Sequence, residues 1–423
     1  MSKVSIKDDR HNLILNCLHE FSWGFGMAFH TLYAIIPLFL KQLGAPQGIS
    51  LSVAGLWSIL VAFPQLFTAI VGRNIIDIKR AVIGAHMFAL PPIFCAGFIF
   101  AFIAPTGPYA WVFYYMCFIF YGLGIGIIIP IWTDFLHHTF SKKIRGAYLG
   151  ISFAWNSIGG FIGGFAVRSI LNSNIPFPQN FGWGFLIFFG CISIGTVLFI
   201  GYRINTPITN HKERTIADLI AETKSIIKTN TNFRNYLIAR IFLTANYPAI
   251  SLYAIYTQNK FGFDASEAGI FIIINVVASG MGSFLSGWIG DRYGHKTGIV
   301  LSFFSYLAAI IAALLATNML FVYTIFLFLG FGLGSFMPST MNLIYDFARK
   351  GDNKIYMALT ETCLAPFTFF AIIIVGGMSG IISNDTILAS IGIFLVIGIL
   401  LLIFRVKDPK HHLNDQLITH TIS

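Results

Sequence analysis

Glu20, Arg240 and Glu361 are the residues best suited to chemistry in this chain, because each is ionisable and lies in an otherwise apolar stretch. His19, His30 and His86 stand in similar surroundings. Holding a charged group in hydrocarbon costs at least about 2.5 to 3.5 kcal/mol, so the few that remain are functional candidates. A carboxylate beside a guanidinium can bind a charged or zwitterionic solute, and a carboxylate beside imidazoles can take up and release a proton. At 3.6 residues per turn, His19, Trp23, Gly26, His30, Tyr33 and Pro37 share one helical stripe, and Glu20, Gly24, Met27 and Thr31 share its neighbour. Arg240, Thr244, Tyr247 and Ser251 form a comparable stripe far along the chain.

The elements that position these residues are membrane helices. The 423 residues are 56% hydrophobic and only 10% charged, with a mean hydropathy of +0.76. A soluble domain carries about 25% charged residues. Twelve apolar runs are long enough to cross hydrocarbon, at 13–40, 49–71, 81–104, 109–132, 147–171, 183–202, 236–257, 267–289, 298–316, 319–343, 356–379 and 386–404. None shows the alternation of a membrane β-barrel. The first run is too long for a signal-peptide core and is read as a retained helix. Cys17, Cys95, Cys117, Cys191 and Cys363 lie within runs and have no metal-ligand spacing, so neither a metal nor a disulfide framework is expected.

Charge sets the orientation, since lysine and arginine collect in cytoplasmic loops. Twenty-three of the 27 basic residues fall on one side of the twelve-run scheme, which puts both termini in the cytoplasm. The net charge of +10 is therefore a topology signal, and no nucleic-acid partner is expected. The longest loop, near 203–235, carries a pattern of Thr215 and Asp218 followed by Ile216, Leu219, Ile220 and Ile227 on one face, which predicts a short amphipathic helix on the membrane surface.

The chain also repeats. Gly122, Gly124, Gly126 and Pro130 recur as Gly330, Gly332, Gly334 and Pro338, 208 residues on, and Leu32-Tyr33-Ala34-Ile35 recurs as Leu252-Tyr253-Ala254-Ile255, 220 residues on. Two six-helix halves follow, at 1–202 and 236–404, with a linker at 203–235 and a tail at 405–423. The 220 offset sets Arg240 opposite Glu20, and Ser251 opposite Thr31.

Gly287-Trp288-Ile289-Gly290-Asp291-Arg292-Tyr293-Gly294-His295-Lys296 resembles the G-x-x-x-D-R-x-G-R-K loop of the major facilitator superfamily, with histidine at the second-last place. The resemblance spans nearly the whole chain. It implies an all-α fold of two pseudo-symmetric halves, a monomer, and a cytoplasmic gate at this loop in which Gly287 allows close helix approach, Gly294 a tight turn, and Asp291, Arg292 and Lys296 polar contacts. The first-half loop, Gly72 to Arg80, departs from the pattern but retains Asp77; Asp134 and Arg145-Gly146 resemble a related element around the loop between helices four and five. In this family helices one, four, seven and ten line the cavity while helix three faces outward, so His86 is expected at the membrane interface. Trp57 is expected in the interfacial belt and Trp155 deeper.

Two subfamily signatures are missing. Phe118 stands where drug antiporters of the family have an arginine, and Gly159-Gly160-Phe161-Ile162-Gly163-Gly164 lacks their proline. Sugar-porter acids are absent after helix six. The expectation is a secondary active transporter in a bacterial inner membrane, coupled to protons and moving a small polar or ionisable metabolite by alternating access. Its site residues are Glu20 and Arg240 with Glu361, His19 and His30 assisting, and Trp23, Tyr247 and Asn275 as further solute contacts. A static Glu20–Arg240 pair is the structural alternative. Efflux is the other transport direction. An intramembrane acyl or lipid transferase would need a polar cluster beyond His137-His138, and a sensor would need a signalling domain. No phosphate-binding loop occurs, so direct ATP drive is unsupported; no cofactor and no enzymatic activity are expected.

Overall fold

The computed structural model describes residues 6–71, 77–140, 145–204, 216–348 and 353–409. Among them are twelve helical spans long and apolar enough to cross a membrane: Asp8–Gln42, Gln47–Gln65, Ile78–Ile103, Pro108–Thr139, Tyr148–Leu171, Gln179–Gly201, Thr231–Phe261, Glu267–Tyr293, His295–Leu314, Met319–Ala348, Ile355–Met378 and Asn384–Arg405. They are called helices one to twelve in that order. Several outrun their apolar stretch: helix four has 32 residues, about 48 Å at 1.5 Å per residue, against a hydrocarbon core of about 30 Å. Asp134, His137 and His138, expected in a loop, therefore lie on a helix, with His138 Nε2 3.7 Å from Asp134 one turn away.

Helices one and seven are not continuous as their apolar runs suggested. Helix one is α-helical over Ile6–Met27, tightens to a 3-10 turn at Ala28–His30 and resumes at Ile35–Gln42. Helix seven is interrupted between Thr231–Leu243 and Asn246–Phe261. Each interruption lies just upstream of a proline, Pro37 or Pro248, third in the segment that follows. There the missing N–H costs no bond, whereas in an unbroken helix the ring would clash with the carbonyl four residues back. The Thr31 hydroxyl repairs part of the first break by accepting from the Ile35 N–H at 3.0 Å.

The chain forms two compact units, Met1–Glu213 with Gly262–Ile273, and Arg214–Phe261 with Ile274–Ser423. The glycine repeat is a packing device used identically in both. In the first unit a Cβ at Gly122 or Gly126 would press on helix two, at Leu60 and at Val61 O with Pro64, while one at Gly124 would press on helix three at Ala89. In the second, Gly330 and Gly334 face the helix-eight backbone at Asn275 and Ser279, and Gly332 faces Tyr306 of helix nine. Helix four thus wedges between two and three, and helix ten between eight and nine, because alternate positions have no side chain.

A second repeated device ties off the last helix of each unit. Asn12 donates Nδ2 to Arg203 O at 2.8 Å and accepts the Arg203 N–H at 2.9 Å. Asn232, 220 residues on, does the same to Lys407 at 2.6 and 2.8 Å. Lys79 Nζ donates to Ile200 O and Tyr202 O at 2.5 and 3.1 Å, and Lys296 Nζ to Ile403 O and Val406 O at 3.1 and 2.9 Å. Each lysine satisfies carbonyls that a helix end leaves open and opposes the negative end of its dipole. The linker holds a helix at Ile216–Thr229, in which Ile226 is buried; Thr215 lies outside the described residues.

Candidate solute and proton site

In the first unit the site begins with helix one against helix five. A Cβ at Gly24 would collide with the Asn156 carbonyl, one at Gly159 with the Phe21 carbonyl, and one at Gly163 with Ala28 Cβ. That closeness brings Asn156 Nδ2 to within 3.1 Å of Glu20 Oε2. His19 Nδ1 stands 3.4 Å from Glu20 Oε1, near enough for an ion pair yet outside hydrogen-bond geometry, and both residues are buried. Trp23, one turn on, tilts against His19 with ring centroids 6.1 Å apart.

His86 corrects the expectation of an interfacial residue. It is buried, 1% exposed, with its ring 6.0 Å from that of His19, 5.9 Å from Trp23 and 4.8 Å from Phe199. Helix three is apolar nearly all round, so composition gives no sign of which face turns inward. Below this group Tyr202 donates to Asn16 Oδ1 at 3.0 Å. Burial, with the neighbouring Glu20 carboxylate, holds the Tyr202 phenol well above the usual tyrosine range, so it remains a donor.

His30 is elsewhere, about 15 Å further along helix one at 1.5 Å per residue. Its ring stacks on Phe188 at 5.0 Å and meets Tyr121, Phe118, Phe185 and Trp57 at 5.2 to 6.3 Å. Trp57, expected in the interfacial belt, is thus part of an aromatic cage around the broken segment of helix one.

In the second unit Arg240 is 3% exposed. Its Nη1 donates to the Tyr236 hydroxyl one turn earlier at 2.7 Å, and its guanidinium lies 4.6 Å from the Phe336 ring centre on helix ten. The cation–π contact offsets part of the cost of burial. Glu361 on helix eleven and Tyr247, beyond the break in helix seven, both couple electrostatically to it. Glu20 and Arg240 therefore each find described partners within their own unit. Asn275 donates Nδ2 to Phe326 O at 3.4 Å, an interhelical use of the amide.

The signature loop is also placed. Helix eight runs to Tyr293, Gly294 turns the chain at φ +92°, and helix nine starts at His295. Among the described residues no atom lies within 4 Å of where a Cβ at Gly287 would stand, whereas Gly282 meets helix ten. The exposed Arg292 guanidinium lies 5.9 and 5.6 Å from the Trp288 and Tyr293 ring centres. Asp291 lies exposed in the last turn of helix eight. Asp408, unremarked in the sequence, accepts the Lys296 N–H at 3.0 Å. Asp77 caps helix three by accepting from the Arg80 N–H at 3.0 Å. Arg145 opens helix five.

The chain matches the sequence profile of the Major Facilitator Superfamily over residues 20–164 and 233–419. It belongs to this superfamily. Similar solved folds include a POT family transporter in complex with a thioalcohol-conjugated peptide, at TM-score 0.72 and 13% identity over 93% of this chain and 96% of that one. The nucleoside transporter NupG matches at TM-score 0.68 and 13% identity, over 94% of this chain and 100% of NupG. A D-xylose–proton symporter matches at 0.68 and 13%, over 95% and 98%. At such identities the likeness is one of fold. No individually curated protein matches the chain by sequence. The protein is thus a multi-pass membrane protein with a fold shared by transporters of the superfamily.

Proposed function

We propose that this superfamily member is a secondary active transporter that carries a small polar or ionisable solute in symport with protons, by alternating access, in a bacterial cytoplasmic membrane with both termini inside. The observation that carries the reading is the buried Arg240, held by the Tyr236 hydroxyl and by the Phe336 ring. A guanidinium has five N–H donors and Tyr236 takes one. A carboxylate or comparable anionic group of a solute suits the rest, by charge and by fork geometry. The buried Glu20, with His19 and Asn156 beside it, supplies a group that can exchange a proton. Support from fold-mates is coarser: those named above handle peptides, nucleosides or D-xylose, and one is a proton symporter. The biased distribution of basic residues supports the orientation.

The test is accumulation of a labelled panel of amino acids, carboxylates, nucleosides and short peptides in proteoliposomes, with and without an inward proton gradient. Wild type is expected to accumulate a solute only with the gradient, and Glu20→Gln and Arg240→Ala to lose that accumulation while remaining folded. Accumulation indifferent to the gradient would remove proton coupling. Gradient-driven loss of preloaded solute would reverse the direction to efflux.

A further inference from the structure

Three titratable side chains from helices one and three meet against helix six within the first unit. His19 and Glu20 come from helix one, His86 from helix three, and all three are at most 5% exposed. His86 Nδ1 lies 2.7 Å from the carbonyl oxygen of Val82 on its own helix. A carbonyl only accepts, so Nδ1 bears the hydrogen, and in the neutral ring Nε2 holds the lone pair. Among the described residues neither ring nitrogen of His19 has a hydrogen-bond partner. Two buried nitrogens without partners are costly and call for an explanation.

A proton supplies one. On His19 it turns the 3.4 Å approach to Glu20 Oε1 into an attraction between opposite charges. With both rings charged, two cations would sit with centroids 6.0 Å apart in an apolar surround, walled by Phe199 at 4.8 Å from each ring and by the Trp23 indole. That arrangement is strongly disfavoured. The other titratable groups facing the cluster are Cys17 on helix one and Tyr202 after helix six, both coupled to Glu20.

We infer that His19, Glu20 and His86 form one proton-binding unit that holds a single exchangeable proton between the two imidazoles, with the Glu20 carboxylate as its counter-charge. His86, on a helix outside the expected cavity lining, thereby sets how readily His19 gives the proton up. The physiological use of the unit rests on the proton-coupled reading above, but its existence does not.

The test uses full-length protein, labelled with ring-15N histidine and held in lipid nanodiscs, and follows the imidazole nitrogen signals from pH 5 to 9. His19 and His86 are assigned from the signals lost in His19→Gln and His86→Gln, with His86→Asn as a second variant should the first misfold. In wild type the two rings are expected to gain one proton between them. In His86→Gln the His19 midpoint is expected to move by about one pH unit to higher pH, because the competing imidazole is gone. Two independent titrations, a His19 midpoint indifferent to His86, or no titration of either ring in this range would overturn the inference. The solute experiment fails separately. A shared proton with gradient-indifferent accumulation would keep the site and remove its coupling role, whereas gradient-driven accumulation with two silent histidines would abolish the site and move coupling elsewhere, Glu361 first.

Discussion

Glu20 and Asn156 show how much one side chain can depend on another. The Asn156 amide is the hydrogen-bond donor to Glu20 Oε2, and it reaches it only because glycines at 24 and 159 allow the two backbones to touch. Asn156→Leu keeps the volume and removes the donor. It is expected to cost about 1 to 3 kcal/mol in stability, read as a fall in melting temperature in detergent, and to change the pH dependence of transport. Glu20→Gln in the same background should restore part of the stability, since an uncharged amide loses less without that partner. On the other side, Tyr236→Phe leaves the Arg240 fork without its phenol oxygen but retains the ring. A weakened apparent affinity for solute with a near-normal maximal rate is expected if Arg240 binds the solute; an unchanged affinity would argue for a purely structural arginine.

At the scale of elements, the repeat was readable but its purpose was not. Gly-x-Gly-x-Gly stands out in any reading of the chain, yet only the packed helices reveal that its glycines alternate between two neighbours. Gly334→Val would drive a side chain into the Ser279 carbonyl and is expected to abolish folding or cost at least about 3 kcal/mol. Gly287→Val, in the more recognisable motif, meets no atom of the described residues and should be tolerated to within about 1 kcal/mol by thermal unfolding. The asparagine clasps make a paired test. Asn12 is fully buried, whereas the bonds of Asn232 are exposed, so Asn12→Ala is expected to lower the melting temperature more than Asn232→Ala. The 220 offset that aligns Leu32 with Leu252 also aligns these two asparagines. The signal was there, but an asparagine in a basic, amphipathic helix start looks like any other polar end residue.

For the whole molecule, topology is the property with the most direct check. With Cys17, Cys95, Cys117, Cys191 and Cys363 replaced by serine, a cysteine at Lys260 should react with an impermeant maleimide added to intact cells. One at Lys407 should react only after permeabilisation. The reverse result would invert the orientation and with it the meaning of import and export. Alternating access also requires the interrupted helices to tolerate rearrangement, and the breaks beside Pro37 and Pro248 are where backbone bonds are already relinquished. Pro248→Ala, which permits a continuous helix seven, is expected to slow transport more than it alters stability, as measured by initial uptake rate against melting temperature.

The solvent, the number of spans, the doubling and the superfamily are legible in the chain alone, because a bilayer demands about twenty apolar residues per crossing and a repeat leaves its period. The sequence also singles out Glu20 and Arg240, since charge is conspicuous where almost none is present. What those residues touch follows from helix packing. Asn156, Phe336 and His86 lie far from their partners in sequence, on helices whose apolar faces are indistinguishable by composition, whereas Tyr236, one turn before Arg240, is legible from its spacing. In hydrocarbon both the lipid-facing and the buried side of a helix are apolar, so periodicity, which reveals the inner face of a soluble helix, is nearly silent here. Close packing at glycines and the positions of a few donors chose the faces instead.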